Sequence, residues 1–251
     1  MPNSNRKATG GFAASAAHTE RFRRAVAARR GSPNGCTTHF VRIDPPAWRK
    51  AVQAAARKAA MRDPYDSHAD CSPAFNYRWG HVEAVVCLTI RLAELTGADR
   101  QVVEAAAWLH DIAKARSQDH GRDGAIAARY ILAQTDFPSH KIDAVADAIA
   151  KHVWLDQPEP VEPLEAAVLW DADKLNKLGA TTVLHLVGLL LTKGERPTVQ
   201  LLERLADIDW QEDVVRSLHT APARAAGQQR LKAFRAFCQQ VAAEVDGGDL
   251  I

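Results

Sequence analysis

From residue 44 onward, apolar and polar positions recur with a helical period almost without a break. Asp44-Pro45-Pro46 offers a capping side chain followed by proline in the first turn. Trp48, Val52, Ala55, Ala56 and Ala59 then share one face, predicting a first helix that ends at Asp63-Pro64. Residues 63–76 (DPYDSHADCSPAFN) are polar and predict a loop. A second helix is expected from about Tyr77 to Leu95, closed by Gly97. A third is expected from about Asp99 to Lys114, with Val102, Val103, Ala106 and Leu109 on its apolar face. A fourth follows at about Arg122–Gln134, and Ser139 is placed to cap a fifth near 140–153. Beyond Pro158, Pro160 and Pro163, a sixth helix spans about Leu164–Leu178, and Gly179 separates it from an apolar seventh near 180–193. Two more are expected near 197–208 and 222–245. No stretch alternates β-branched residues with period two, and no repeat is visible, so the predicted fold class is all-α: a helical bundle with functional groups projecting inward.

Composition narrows the class further. Of 251 residues, 47% are hydrophobic and 25% charged, which fits a globular protein and excludes collagen-like repeats and a disulfide miniprotein. The longest apolar run, Val183–Leu191, is broken by His185 and Gly188 and falls short of the roughly 20 residues of a bilayer span, so no membrane partner is expected. Cys36, Cys71, Cys87 and Cys238 form no C-x-x-C pair, which argues against a zinc ribbon or redox dithiol and suits a reducing cytoplasm.

Charge is uneven although the net is only +2. Residues 1–42 hold eight Lys/Arg against one acid, Glu20, among Gly, Ser, Asn and Ala. Such a segment buries too little apolar surface to offset its chain entropy, so residues 1–43 read as a disordered basic tail ahead of a single all-α domain at 44–251. The motif core of that domain is placed at about 77–190, with C-terminal helices 197–245 packing on it. The tail reads as a loose leader without the apolar stretch of a secretory signal. A nucleic-acid partner is not expected of the chain as a whole: the net charge gives no reason for one, 6% aromatics offer no broad base-stacking platform, and only the basic tail leaves an RNA or DNA contact open.

Metal-capable side chains stand among apolar neighbours at several points: His81 after Trp79-Gly80, the pair His110-Asp111, His120, His152 and Asp171. Singly, each reads as a hydrogen-bonded core histidine or a solvated aspartate. Together, on successive helices, they suggest a shared site. Adjacent helical residues point about 100° apart, so His110 and Asp111 can converge on one cation between them. An ionised aspartate beside Leu109 and Ile112 needs compensation, which a divalent metal would give. Lys114 lies one turn beyond His110, where it could contact an anion. Asp171 follows Val168, Leu169 and Trp170, with Asp173 and Lys174 just after; an Asp171–Lys174 ion pair and a metal-ligating Asp171 are both open readings.

The order His81, His110-Asp111, Asp171 resembles the H…HD…D signature of the HD-domain superfamily of metal-dependent phosphohydrolases. The flanks resemble it too: WLHDIAK the HD helix, DHGRDGAIAARYIL the segment after it, AIAKH the next helix and LWDADKLNKLGA the late aspartate helix. The likeness covers about residues 77–190. It implies His81, His110, Asp111 and Asp171 as metal ligands. It assigns catalytic roles to Asp111, Lys114 and Asp173, with Asp111 or Asp173 orienting or deprotonating the attacking water. His120, His152 and Lys174 would contact substrate phosphate or a second metal. Asn176 stands where relatives often carry an acid, and only nine positions separate Asp111 from His120.

The implied reaction is hydrolysis of a phosphate ester or anhydride, with a nucleotide as the favoured substrate. The mixed imidazole and carboxylate donors suit one or two Mn, Fe, Co, Ni or Zn ions, which lower the pKa of a bound water. Two other readings stay open: a dinuclear-iron oxygenase of the same architecture, with His120 and His152 completing six ligands, and a nucleotide-binding module without turnover. Trp48, Trp79, Trp108, Trp154, Trp170 and His185 read as packing residues. The last helix, with Leu231, Phe234, Phe237, Cys238 and Val241 on one face, would close the bundle or form a homo-oligomer.

Overall fold

Helix α1 (Ala47–Ala60) has no capping side chain at its own N-cap, Pro46. Asp136 supplies one from elsewhere in the chain: its carboxylate accepts from the backbone N–H groups of Ala47 at 3.2 Å and Trp48 at 2.6 Å. Trp48 then meets Phe137 edge to face, with ring centroids 5.1 Å apart. This clamp fixes α1 to the connection that follows α4. The computed structural model describes residues 46–62, 76–153, 161–192 and 209–250. The expected basic tail, the helix expected near 197–208 and Trp154 lie outside the described residues.

Every regular element among the described residues is helical. After α1 come α2 (Tyr77–Thr96), α3 (Arg100–Leu109), α4 (His120–Leu132), a 3-10 turn (Ser139–Lys141), α5 (Ile142–Lys151), α6 (Leu164–Asn176), α7 (Ala180–Thr192), α8 (Asp209–Arg216) and α9 (Ala221–Asp246). None is long and apolar enough to cross a membrane.

Local chemistry explains most boundaries. Asn76 accepts from Trp79 N–H to start α2, and Gly97 ends it in the left-handed conformation at φ 81°. Asp99 caps α3, Asp119 caps α4 and Thr220 caps α9. Ser139 does not cap α5: it opens the 3-10 turn, and the helix proper starts at Ile142. The expected third helix is shorter than its periodicity suggests. α3 stops at Leu109, and residues 110–116 continue as turns closed by tighter bonds such as Lys114 N–H to Asp111 O at 3.1 Å. Helix α8 was not expected from the sequence.

α2, α3, α5 and α6 pack together, with α1 and α4 on their flanks. Their shared core includes Trp48, Val85, Val103, Leu109, Ile149, Leu169 and Trp170. α6 lies at its centre: from Ala166 to Asn176 every residue is buried, Asp171, Asp173, Lys174 and Asn176 among them. Polar groups in such a helix need specific partners, and those partners build the site. The early part of α9 closes the bundle, with Leu231 in the main core and Phe234 packed against Val183 of α7.

Candidate metal centre

Four imidazoles meet at the ends of four elements. His81 comes from the N-terminal part of α2, His110 caps the C-terminus of α3, His120 opens α4 and His152 closes α5. Their rings form an edge-to-face chain: His81 to His110, His110 to His152 and His152 to His120, each with centroids 5.3 Å apart. Close helix packing makes this possible. A Cβ on Gly121 would stand 2.9 Å from the carbonyl oxygen of Ala150, so only glycine lets the His120 end of α4 approach the His152 end of α5.

Asp111 sits between the imidazoles and faces both ways. Its Oδ2 lies 3.8 Å from Nε2 of His81 and 3.7 Å from Nε2 of His110. Its Oδ1 lies 3.7 Å from Nε2 of both His120 and His152. These spacings are too long for hydrogen bonds. The donors fall into two metal-capable groups, His81/His110/Asp111 and Asp111/His120/His152, which share one carboxylate. Asp173 approaches the first group through His81, with Oδ1 3.2 Å from His81 Nε2.

Neighbouring groups set the proton positions. His110 Nδ1 lies 2.8 Å from Ala107 O, and His152 Nδ1 lies 2.6 Å from Ile149 O. Carbonyls only accept, so both rings carry the proton on Nδ1 and turn a lone pair inward at Nε2. The Asn176 amide nitrogen lies 2.8 Å from His81 Nδ1. Donating there places His81's proton on Nε2, between His110 and Asp173; with the amide turned over, its oxygen accepts from Nδ1–H and Nε2 becomes a ligand.

The donor set fits a divalent cation. His81 and His110 Nε2 atoms are 3.2 Å apart. Two imidazole nitrogens on one ion, each about 2.1 Å from it, would be separated by roughly 3.0–3.4 Å. His152 Nε2 and Asp173 Oδ1 are buried with no hydrogen-bond partner, an arrangement that a cation would satisfy. Burial pushes the His110 imidazole down to about 3. Burial, with the Lys114 ammonium alongside, pushes His120 down to about 4. Both rings are thus neutral at pH 7, the form that binds metal.

Cations surround the carboxylates. Arg78 donates to Asp111 Oδ2 at 2.9 Å. Lys174 and Lys177 donate to Asp173 Oδ2 at 2.8 and 2.9 Å. Burial alone would raise both aspartates. His110, His152, His81 and Arg78 instead hold Asp111 well below the usual carboxylate range, and Lys174 and Lys177 do so for Asp173. Lys114 reaches the opposite side of the cluster, with Nζ 2.9 Å from His120 Nε2.

The expected residues therefore divide. His81, His110, Asp111, His120, His152, Lys114 and Asp173 converge. Asp171 does not join them. Its two oxygens accept from the backbone N–H groups of His219 at 2.8 Å and Thr220 at 2.7 Å, tying α6 to the entry of α9. Lys174 pairs with Asp173, not Asp171. It is buried, donates to the His152 carbonyl at 2.9 Å and lies over the Trp170 ring. Trp48 and Trp170 are buried core residues, while Trp79 and Trp108 stack on each other half-exposed. His185 is half-buried and meets Tyr77 edge to face.

Three contributors were not singled out from the sequence as part of the site. Arg78 and Lys177 were detectable by helical spacing, three before His81 and four after Asp173. Asn176 was marked only as a departure from the family pattern, with no role carried over, and nothing in the sequence pointed to the His81 ring it meets.

The HD domain family model matches residues 78–178, the segment that contributes His81, His110, Asp111, His120, His152 and Asp173. Residues 78–178 are an HD domain. Among solved structures, a predicted HD superfamily hydrolase from an uncultured Thermotogales bacterium is 23% identical, with 78% of this chain and 91% of that one covered and a TM-score of 0.53. YpgQ of Bacillus subtilis, in its selenomethionine form, is 20% identical over 80% of this chain and 97% of its own, with a TM-score of 0.57. A structure of YpgQ in complex with ADP is 17% identical over 79% and 98%, with a TM-score of 0.55. The likeness is one of fold, and it extends beyond the HD domain into the flanking helices.

Proposed function

We propose that this chain is a metal-dependent phosphohydrolase acting on a phosphate ester or anhydride, with a nucleotide as substrate and the cytoplasm as its place of action. The observation that carries the reading is the two-faced Asp111 carboxylate, with a histidine pair on each side and cations at both edges. His81, His110, Asp111 and Asp173 would hold one divalent ion; Asp111, His120 and His152 would hold a second. When bound, such ions supply Lewis acidity and a water of lowered pKa.

The chain's own side chains do the rest. Arg78 and Lys114 present N–H donors at the rim, where charge on phosphoryl oxygens accumulates. Asp111 and Asp173, kept ionised by their cationic neighbours, are weak proton acceptors at neutral pH, so they orient more than they deprotonate. Lys174 and Asn176 fix the carbonyl of His152 and the ring of His81. The nucleotide preference is supported by the ADP complex of YpgQ, a fold relative.

The test is a panel of nucleotides and phosphomonoesters with each divalent metal in turn. His110→Ala and Asp111→Ala should abolish both metal retention and phosphate release while keeping the helical circular-dichroism spectrum. Unchanged turnover in metal-analysed variants would falsify the proposal. The paired lobes also suit a dinuclear-iron oxygenase; oxygen uptake by iron-loaded protein, without phosphate release, would favour that reaction.

A further inference from the structure

Beside the metal-capable cluster lies a smaller chamber of about 170 Å³, lined by Tyr77, Lys177, Thr182, His185, Leu186 and Trp210. It is shaped by the start of α2, the turn after α6, and helices α7 and α8. Two of its walls also belong to the cluster. The Tyr77 ring lies nearly parallel to that of His81, at 12° and 6.4 Å between centroids. Lys177, from the turn after α6, donates to Asp173. Farther in, Tyr77 meets His185 edge to face at 5.2 Å.

Thr182 is the unexplained group. It is only 5% exposed, and its hydroxyl has no hydrogen-bond partner. A buried hydroxyl left unpaired costs about 1–3 kcal/mol, so a partner for it is missing.

We propose that this chamber is the subsite for a planar nitrogen heterocycle, the base of a nucleotide whose phosphoryl group lies at the metal-capable cluster. The proposal rests on the phosphohydrolase reading and adds the part of the substrate that reading leaves open. Pockets for whole drug-sized ligands run to about 300–1,000 Å³, so this chamber takes only a ring-sized fragment. Tyr77 and Trp210 offer aromatic surface, and base–aromatic stacking contributes about 1–3 kcal/mol per base. The Thr182 hydroxyl can donate to or accept from a ring edge. A hydrocarbon chain would leave Thr182 unpaired beside the Lys177 charge, and a sugar has no flat face for the aromatic walls.

The test compares ligands that differ only in the base. Binding of adenosine, guanosine, cytidine and uridine 5′-monophosphates is measured calorimetrically against ribose 5-phosphate, using the full chain in EDTA so that no turnover intrudes. At least one nucleotide should bind tenfold more tightly than ribose 5-phosphate. Thr182→Val should reduce that preference at least fivefold without changing ribose 5-phosphate binding, and Thr182→Ser should restore it. No preference, including no binding by any nucleotide, overturns the subsite, as does a Thr182→Val effect equal for both ligand types. Phosphate release with base-blind binding removes the subsite and leaves the hydrolase reading intact. Base-selective binding with no phosphate release under any metal supports the subsite and removes the hydrolase reading.

Discussion

Asp173 Oδ1 lies 3.2 Å from His81 Nε2, joining the last turn of α6 to the N-terminal part of α2 at the metal-capable cluster. Two residues earlier on the same helix, Asp171 gives both oxygens to backbone N–H groups of His219 and Thr220. Asp173→Asn should therefore weaken metal retention by roughly 10–100-fold or more, measured by metal analysis after dialysis. Asp171→Asn should keep the metal and lose about 1–3 kcal/mol in urea denaturation, because its amide nitrogen would face a backbone donor. The reverse pattern would return the ligand role to Asp171.

Sharing of Asp111 between two histidine pairs predicts how ion stoichiometry responds to mutation. Manganese titration of the wild type should reveal two ions, His120→Ala should bind one, and Asp111→Asn should hold neither tightly. Lys114→Met should tighten the weaker site, since the ammonium 2.9 Å from His120 Nε2 occupies the lone pair that a metal would take. A single ion in the wild type, unmoved by His120→Ala, would contradict the two-lobed arrangement.

Periodicity revealed the helices because each buries an apolar stripe, and the histidines were visible because they interrupt such stripes. The choice between Asp171 and Asp173 was not legible. Both follow apolar residues, and positions two apart on a helix point about 200° away from each other. Which one meets His81 depends on how α2 lies against α6, a tertiary fact. The end of α3 was hidden for a different reason: turns closed by i→i−3 bonds keep nearly the same apolar spacing as a helix. Helix α8 carries few apolar residues, with Trp210, Val214 and Val215 among acids, so its pattern resembled a connection.

Asp99 links stability to pH away from the cluster. Its Oδ1 caps α3 by accepting from Gln101 N–H at 2.9 Å and Val102 N–H at 3.3 Å, and its Oδ2 pairs with Lys141 at 2.6 Å. Burial alone would raise its pKa, but Lys141 and the capped N–H groups bring it below the ordinary value. A carboxyl depressed on folding adds stability above its unfolded pKa of about 4 and loses it as pH falls through the lower folded value. Asp99→Ala should thus cost roughly 0.5–2 kcal/mol at pH 7, with the difference from wild type shrinking as urea denaturation is repeated toward pH 3. Asp99→Asn keeps an N-cap acceptor and should lose less at pH 7.

Gly121 offers the sharpest separation of packing from chemistry, because it binds nothing itself. Replacing a helical glycine with alanine ordinarily stabilises by about 0.5–1 kcal/mol. Here the new Cβ would stand 2.5 Å from Val153 Cγ2 and 2.9 Å from Ala150 O. The valine side chain can move, but the carbonyl belongs to the last turn of α5, which carries His152, so backbone displacement outweighs the intrinsic gain. Gly121→Ala should cost about 1–3 kcal/mol of stability and weaken metal binding at the His120/His152 lobe while sparing the His81/His110 lobe. Gly124→Ala presses only the movable Ile149 methyl, at 3.1 Å, while His110 O at 3.5 Å and Ile112 Cγ2 at 3.7 Å are ordinary contacts, so it should be milder on both counts. Equal loss at both lobes would mean that α4 and α5 move as one body with α2 and α3, and that the close approach at Gly121 does not set the second lobe.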